Sequence, residues 1–301
     1  MNVIITGNSG FVGTNLSNHL INHNINVSAI SMRDASWKEQ IEKSSEAIIH
    51  LAGKAHDTLK VSDPDEYYKI NRDLTIELFD EFLNSEIKKF FYFSSVKAVA
   101  DTLNDILKED KTPNPQTHYG KSKIEAEKYI LSKKIPQGKE VYIIRPCMIH
   151  GPGNKGNLNL LYKIVEKGLP WPLAAFHNQR SFLSIDNLSF LIFKMLTEKN
   201  LPSGIYNFAD DTAISTNELI TIVNKALEKK AKLWNISKTL IEKVAFFGDK
   251  LHLPLNSERL KKLTESYIVS NQKIKSALKL EKLPMSAEEG LTKTIVSFKN
   301  K

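Results

Sequence analysis

The stretch "VIITGNSGFVG", residues 3–13, decides how the rest of this chain is interpreted. A β-branched run leads directly into three glycines spaced three residues apart, Gly7, Gly10 and Gly13. Apolar residues then recur at helical spacing over residues 11–21. Glycines at such a strand-to-helix junction permit a tight turn, a close approach to a pyrophosphate and close packing of the helix. The loop therefore predicts a phosphate-bearing ligand at the start of the helix.

The first half of the chain alternates short apolar runs with longer helical patterns. The predicted strands cover residues 2–6, 26–31, 46–52, 88–95 and 140–146, and the longer predicted helices cover 65–84 and 117–134. Strands that alternate with helices indicate βαβ units and a parallel sheet covered on both faces. We therefore predict an α/β protein with a Rossmann-like, doubly wound parallel sheet, whose dinucleotide-binding domain covers residues 1–155.

The character of the sequence changes in the second half, which is mostly helical. We predict that residues 156–301 form mainly a smaller, substrate-binding lobe. Two further strands, near residues 181–185 and 204–208, are expected to return to the main sheet. The segments "STNE" (215–218) and "SAEE" (286–289) have the pattern of capping boxes, and each predicts the start of a helix.

Composition narrows the classes of protein that this chain can represent. A single cysteine, Cys147, excludes a disulfide within the chain and favours a reducing, cytoplasmic setting. The net charge is +8, but the lysines are scattered and lack the aromatic interleaving of nucleic-acid binders, so we expect no nucleic-acid partner. No run approaches the roughly 20 apolar residues of a membrane span.

The end of the second predicted strand, "AISMRD", bears on the choice of dinucleotide. Sites that prefer NAD usually place an acid there, on the ribose hydroxyls of the adenosine. Ser31 occupies that position, and Arg33 follows two residues later. A serine and an arginine suit a 2′-phosphate, which favours NADP(H) over NAD. The alternative is that Asp34 takes the role of the acid while Arg33 is a solvated loop residue.

A tyrosine and a lysine in "THYGKSKIEAEKYI" (117–130) provide candidate acid–base chemistry. Tyr119 and Lys123 are four residues apart, so they share one helix face. A nearby ammonium is expected to lower the pKa of a tyrosine, which is about 10 when unperturbed. Ser94 and Ser95 end an apolar strand, where a hydroxyl can bond a substrate oxygen. The alternatives are a packed Tyr–Lys pair and a serine that caps a turn.

Six motifs, in this order along the chain, carry a family resemblance. They are "TGNSGFVG" (6–13), "IIHLAG" (48–53), "FSS" (93–95), "YGKSK" (119–123), "IIRPCMIHGPG" (143–153) and "RSFLSIDNL" (180–188). Together they resemble the extended short-chain dehydrogenase/reductase family of NAD(P)-dependent nucleotide-sugar epimerases, dehydratases and reductases. The resemblance implies NADP or NAD as the cofactor and a nucleotide sugar as the substrate. It also implies a homodimer formed through the helices at 65–84 and 117–134.

The resemblance implies roles for individual residues, with Tyr119 as the acid–base group and Lys123 at the nicotinamide ribose. The expected catalytic residues are Ser95, Tyr119 and Lys123. The expected cofactor-binding residues are Gly7, Ser9, Gly10, Phe11, Val12, Gly13, Ser31, Arg33, Leu51, Ala52, Gly53, Lys54, Asn71, Tyr119, Lys123 and Pro146. Ser95, Asn157 and Arg180 are expected to bind the substrate.

The details of the motifs favour one reaction within the family. Dehydratases carry an acid pair where this chain has Val96 and Lys97, which argues against loss of water. The segments "HLAGKAH", "SSVKAVA" and "KGLPWPL" resemble a bacterial subgroup that acts on UDP-linked 4-keto-6-deoxy-N-acetylhexosamines. We therefore expect a 4-ketoreductase for surface polysaccharide precursors. The alternatives are a UDP-hexose or UDP-N-acetylhexosamine 4-epimerase with tightly bound NAD and, more distantly, a non-catalytic dinucleotide sensor.

Overall fold

The computed structural model of the chain describes residues 1–54, 63–154, 157–251 and 256–299. Its main sheet has six parallel strands in the order β2-β1-β3-β4-β5-β8. The strands are β1 (Asn2–Thr6), β2 (Asn26–Ile30), β3 (Ala47–His50), β4 (Lys89–Phe93), β5 (Glu140–Pro146) and β8 (Gly204–Phe208). The strand order reverses between β1 and β3. In doubly wound sheets, ligands bind in the crevice beyond the carboxyl ends of the strands at this reversal.

Helices cover the sheet and build the C-terminal lobe. They are α1 (Phe11–Asn22), α2 (Pro64–Tyr68), α3 (Leu74–Leu83), α4 (His118–Ser132), α5 (Asn157–Glu166), α6 (Ile185–Thr197), α7 (Thr216–Ala226), α8 (Lys238–Leu251), α9 (Ser257–Thr264), α10 (Gln272–Ala277) and α11 (Ala287–Lys299). Within the described residues, no helix is both long enough and apolar enough to pass through a bilayer.

The central strands are buried on both faces, which confirms the predicted parallel sheet. Ile5 and Phe91 belong to one apolar cluster, whereas their neighbours Ile4 and Phe90 belong to a second cluster. Successive side chains of a strand point to opposite faces, so the two clusters cover opposite sides of the sheet. This explains why these strands are continuous apolar runs and do not alternate with polar residues.

The helix predicted over residues 65–84 is interrupted by a π-helical turn. Helix α2 passes into the turn at Lys69–Asp73, and α3 continues from it to Leu83. The turn contains the fully buried Asn71. π-helical turns inside α-helices often occur at functional sites, because the extra residue redirects a side chain.

One of the two later strands joins the main sheet as predicted, and the other does not. Strand β8 pairs with β5 along five residues, from Tyr142 with Gly204 to Pro146 with Phe208. Strand β7 (Phe182–Ser184) instead pairs with β6 (Met148–His150) in a separate two-stranded sheet. Because β8 occupies the free side of β5, the short β7 finds its partner in the chain beyond Cys147. The division of the chain at residue 155 stays a prediction.

The C-terminal lobe has an apolar core of its own, formed mainly by side chains of α5, α7, α8 and α11. Both predicted capping boxes are present. The Ser215 amide donates to the Glu218 carboxylate at 2.7 Å, and the Glu218 amide donates to the Ser215 hydroxyl at 3.0 Å. Ser286 and Glu289 form the same reciprocal pair, at 2.9 and 3.3 Å. Each box satisfies amides that a helix start leaves without partners.

A buried ion pair joins helix α4 to strand β5. The Arg145 guanidinium donates to the Glu127 carboxylate at 3.0, 3.1 and 2.5 Å, and both side chains are almost completely buried. The Ser94 hydroxyl, at the end of β4, donates to the same carboxylate. Glu127 therefore fixes how α4 is rotated against the sheet, and that rotation sets the direction of every other side chain on the helix.

We predict that Glu127→Gln lowers the free energy of unfolding by about 3 kcal/mol, because it leaves the buried Arg145 guanidinium without its counter-charge. Urea denaturation followed by circular dichroism measures the change. Glu125→Gln is the matched control on the same helix. Its ion pair with Arg72 is partly exposed, so we expect a loss below about 1 kcal/mol. Equal losses in the two variants would contradict a structural role for the buried pair.

Candidate active site

The glycine loop between β1 and α1 has a geometry that only glycine permits at two of its positions. Gly7 has a φ of +73°, and a Cβ there would lie 2.7 Å from the Ala52 amide nitrogen. A Cβ on Gly13 would lie 2.4 Å from the Gly7 carbonyl oxygen. A Cβ on Gly10 would meet only that same oxygen, at 3.3 Å. Gly7 and Gly13 therefore allow the turn and the helix packing, while Gly10 leaves an open face.

The open face at Gly10 is also the start of helix α1. Gly10 caps the helix without a side-chain hydrogen bond, and the first turn contains no acidic residue. Ser9 and Gly10 are exposed, whereas Phe11 and Val12 are half-buried. Because no side chain of the loop fills this cradle, the first amides of the helix are left for an anionic group. The residues present thus fit the pyrophosphate of a dinucleotide.

The chain beyond β3 lies against the same loop. The amides of Leu51 and Ala52 donate to the backbone and side-chain oxygens of Thr6, each at 3.2 Å. A Cβ on Gly53 would lie 2.9 Å from the Asn71 side-chain oxygen and 3.2 Å from the Lys123 Nζ. The absence of a side chain at Gly53 therefore lets the predicted cofactor-lining segment 51–54 approach helix α4.

Asn71 ties this segment to α4. Its side-chain oxygen accepts from the Lys54 amide at 2.8 Å, and its side-chain nitrogen donates to the Lys54 carbonyl and the Ser122 hydroxyl, each at 3.1 Å. The side-chain amide of Asn71 is thus hydrogen-bonded to other residues of the chain. We conclude that Asn71 positions the wall of the predicted cofactor site.

Ser31 and Arg33 lie exposed beyond β2, and Arg33 has no hydrogen-bond or ion-pair partner among the described residues. Asp34, the alternative acid, is directed back into its own turn. Its carboxylate accepts from the Ser36 amide at 3.0 Å and from the Gln40 side chain at 3.0 Å. The hydrogen bond from the Ser36 amide keeps the pKa of Asp34 below its usual value. The guanidinium of Arg33 can therefore bind a phosphate, whereas the carboxylate of Asp34 is already hydrogen-bonded and suits ribose hydroxyls less well.

The structure brings together the three predicted catalytic residues. The side chains of Ser95 and Tyr119 share a hydrogen bond. Lys123, one turn further along α4, donates from its Nζ to the Phe93 carbonyl at 2.9 Å. Ser94 faces Glu127, so Ser95 is the serine at the site. The Lys97 amide donates to the Ser95 Oγ at 3.1 Å and holds that hydroxyl in place.

The pKa of Tyr119 differs from our expectation. Burial raises the pKa of the phenol, and the hydrogen bond with Ser95 offsets only part of this effect. The expected lowering by Lys123 is absent, since the ammonium is bound to the Phe93 carbonyl. Burial also lowers the pKa of Lys123 to about 8, against the opposing effect of Glu127. Tyr119 therefore keeps its proton at neutral pH.

The predicted substrate side is linked to the turn that follows Ser95. Arg180 is half-buried, and its guanidinium donates to the Lys262 carbonyl. Next to Arg180, the Ser181 amide donates to the Tyr267 carbonyl at 2.9 Å. The Tyr267 hydroxyl then donates to the Ala100 carbonyl at 2.7 Å. This chain of contacts places Arg180 near the turn that follows Ser95.

Two other predicted positions add less to the site. Pro146 is buried at the end of β5, where it pairs with Phe208 of β8. The side chain of Asn157 lies outside the described residues.

Several residues at the site were not predicted as functional. Glu127 lies four residues after Lys123, and this spacing indicates that the two side chains share one face of the helix. Arg145 is a charge inside the apolar strand "EVYIIRP", which also indicates a buried partner. Lys97 and Tyr267 gave no comparable indication, because their contact, with Nζ 4.2 Å from the ring centroid, joins distant parts of the chain.

Comparison with known proteins shows the family to which the chain belongs. The family model described as "NAD dependent epimerase/dehydratase family" matches residues 3–209. The UDP-glucose 4-epimerase of Vibrio cholerae is 29% identical over 249 residues, which span 75% of this chain and 76% of that protein. The N-acetyl-alpha-D-glucosaminyl-diphospho-ditrans,octacis-undecaprenol 4-epimerase of Escherichia coli O157:H7 is 30% identical, over 76% of this chain and 73% of that protein.

The same fold occurs among solved structures. The UDP-glucuronic acid 4-epimerase from Bacillus cereus, solved in complex with NAD, superimposes with a TM-score of 0.78. The superposition covers 100% of this chain and 99% of the other chain, at 17% sequence identity. This similarity confirms the predicted fold class, a Rossmann-like parallel sheet with a helical C-terminal part.

We predict that Lys123→Met makes the protein more stable at pH 7. The native pKa of Lys123 is about 8 and the unfolded value is 10.5, so below pH 8 the native state carries a buried charge that opposes folding. That penalty fades as the pH rises from about 8 to 10.5. At about 1.4 kcal/mol per pKa unit, removal of the ammonium should raise the free energy of unfolding by about 1–3 kcal/mol at pH 7, and by less at pH 10.

Urea denaturation at pH 7 and pH 10 measures both values. Lys121→Met, at an exposed position of the same helix, should change neither of them appreciably. A Lys123→Met protein that is less stable than the parent at pH 7, by a margin that shrinks toward pH 10, would show that the ammonium stabilises the fold.

Proposed function

Because the chain belongs to the NAD-dependent epimerase/dehydratase family, we propose that this enzyme works at C4 of a nucleotide-linked sugar. Our first candidate is a 4-ketoreductase of a UDP-linked 4-keto-6-deoxy-N-acetylhexosamine, in the synthesis of surface polysaccharide precursors. The observation that carries this proposal is the meeting of Ser95, Tyr119 and Lys123 at the carboxyl end of β4, where Gly53 of the predicted cofactor wall approaches the Lys123 Nζ. A reductase needs a proton donor at this position.

The dinucleotide supplies the hydride for C4 of the sugar when it is bound. Tyr119 donates its phenolic proton to the carbonyl oxygen, on which negative charge develops as the ketone becomes an alcohol. The Ser95 hydroxyl donates a hydrogen bond to the same oxygen and stabilises that charge. The Lys123 ammonium lies one turn away, where it donates to the Phe93 carbonyl and holds helix α4 against strand β4. The product has gained hydride at carbon and a proton at oxygen.

The end of β2 supports NADP(H) as the preferred cofactor. Ser31 and Arg33 would hold the 2′-phosphate, Arg33 through the charged donors of its guanidinium. The glycine loop at Gly7, Gly10 and Gly13 would hold the pyrophosphate, and the segment 51–54 would line the site. A reduced cofactor that is used once per turnover must exchange with solvent, which the exposed position of Arg33 allows.

The second candidate is a 4-epimerase with retained NAD. It is supported by the relatives from Vibrio cholerae and Escherichia coli O157:H7, both of which are described as 4-epimerases. In that reaction Tyr119 would first take the proton from the hydroxyl at C4 and later return it. A sensor without catalysis fits less well, because Ser95, Tyr119 and Lys123 are all in place. The expected homodimer stays a prediction.

A pair of incubations separates the two candidates. With NADPH and the UDP-linked 4-keto-6-deoxy sugar, we expect the absorbance of NADPH to fall and a 4-hydroxy sugar to form. With UDP-N-acetylglucosamine and no added cofactor, we expect no product. The appearance of the C4 epimer in the second incubation, with NAD released on denaturation, would identify the epimerase and exclude the reductase.

We predict that Tyr119→Phe lowers kcat by about 10²- to 10⁴-fold, because the proton donor is lost while the ring is kept. Tyr129→Phe is the matched control, since Tyr129 lies on the same helix and its hydroxyl donates to the Asp80 carboxylate. Arg33→Ala should raise the KM for NADPH about tenfold and leave the KM for NADH almost unchanged. Steady-state kinetics with both cofactors tests these expectations. A Tyr119→Phe enzyme with full activity would exclude the proposed mechanism.

A further inference from the structure

The exposed apolar side chains of this protein are concentrated in one segment of the C-terminal lobe. Seven of the fourteen large apolar side chains that are exposed in the described part of the chain lie between residues 233 and 251. They are Leu233, Trp234, Leu240, Val244, Phe246, Phe247 and Leu251. Single exposed apolar residues need no explanation, but a concentrated group indicates an interaction surface.

Helix α8 carries most of this group, and it has two apolar faces. Ile241, Ala245 and Gly248 are buried, and Ile241 and Ala245 belong to the apolar core of the lobe. Leu240, Val244, Phe247 and Leu251 recur four, three and four residues apart, so they form a second stripe along the helix. This second stripe is from 44% to 67% exposed and lies about a quarter turn from the buried face of the helix.

Lysines border the exposed stripe. On the helical wheel Lys243 and Lys250 lie next to it, on the side away from the core. The Lys250 Nζ lies 5.0 Å from the centroid of the Phe246 ring, so the lysine stem covers the ring while its charge reaches solvent. Residues 228–251 contain six lysines and three acids. The acid nearest the end of the helix, Asp249, is bonded to Ser257.

The size of the stripe argues against a second protein as the occupant. At a rise of about 1.5 Å per residue, the stripe is about 16 Å long and one helix wide. A stable protein interface usually covers about 800 Å² on each partner, several times more than such a ridge offers. Binding to a lipid surface requires a smaller area. A single helix can bury its apolar face among the headgroups while flanking lysines contact anionic lipids.

We propose that the α8 surface, defined as Leu240, Val244, Phe247 and Leu251 with Lys243 and Lys250, docks on anionic lipid bilayers. Docking of this kind is peripheral and reversible, and it requires no helix that spans the membrane. The net charge of +8 adds a long-range attraction to the same surface. The proposal depends on the fold of the C-terminal lobe and not on which sugar the enzyme uses.

Sedimentation with vesicles tests the proposal on the full chain. We expect the protein to co-sediment with vesicles of equal parts phosphatidylcholine and phosphatidylglycerol, but not with vesicles of phosphatidylcholine alone. Binding should weaken as added salt screens the lysines. The double variant Leu240→Gln/Phe247→Gln should lower the partition coefficient about tenfold, and Lys243→Gln/Lys250→Gln about thirtyfold.

Matched controls lie elsewhere on the protein. Ile21→Gln removes a side chain of similar exposure from α1, and Lys128→Gln removes an exposed lysine from α4, so both should bind vesicles like the parent. Since the replaced side chains are exposed, each variant should unfold at the parent urea midpoint. Phe247→Gln alone provides a milder test if the double variant is less stable.

Three results would overturn the proposal. The first is an absence of vesicle binding by the parent protein. The second is equal binding by the parent and the Leu240→Gln/Phe247→Gln variant. The third is self-association in light scattering that this variant abolishes while vesicles bind neither protein, which would assign the α8 surface to a second copy of the chain.

Discussion

The buried ammonium of Lys123 is the group on which the rest of the site depends. Its Nζ is held at 2.9 Å from the Phe93 carbonyl, at the carboxyl end of β4. Glu127 lies one turn further along α4 and is itself paired with Arg145 of β5. These charges fix α4 against two strands, and as a result Tyr119 meets Ser95. Gly53 lets the neighbouring loop approach the same ammonium.

The burial of the Lys123 ammonium lowers the stability of the fold and places a charged group inside the candidate site. A lysine that is only 5% exposed would lose its proton more easily than a surface lysine, and its pKa of about 8 reflects that cost. Groups that act on protons are commonly held in such environments, because burial moves their pKa toward the working pH. Burial shifts the pKa of Tyr119 in the opposite direction and raises it, because burial disfavours the charged phenolate. The site thus places a protonated phenol one helical turn from a buried cation that holds α4 against β4.

The sequence predicts the sheet well, because buried parallel strands are continuous apolar runs and their glycine turns are local. The sequence predicts less about features of the structure that depend on contacts between distant segments of the chain. The pairing of β7 depended on which strand was free beside β5. The π-helical turn at Asn71 adds one residue to a helix without disturbing its apolar pattern. Whether Ser94 or Ser95 serves the site depends on Glu127, and the pKa of Tyr119 depends on a burial that no local pattern reveals.

We propose that Tyr119 and Ser95 complete a reduction at C4 of a nucleotide sugar. Transfer of an isotope from NADPH tests it most directly, with deuterium at the transferable position of the nicotinamide and analysis of the sugar product by NMR and mass spectrometry. We expect a single deuterium on C4 of the product, with an unlabelled proton from solvent on the neighbouring oxygen. Deuterium on another carbon, or a product without deuterium, would contradict it.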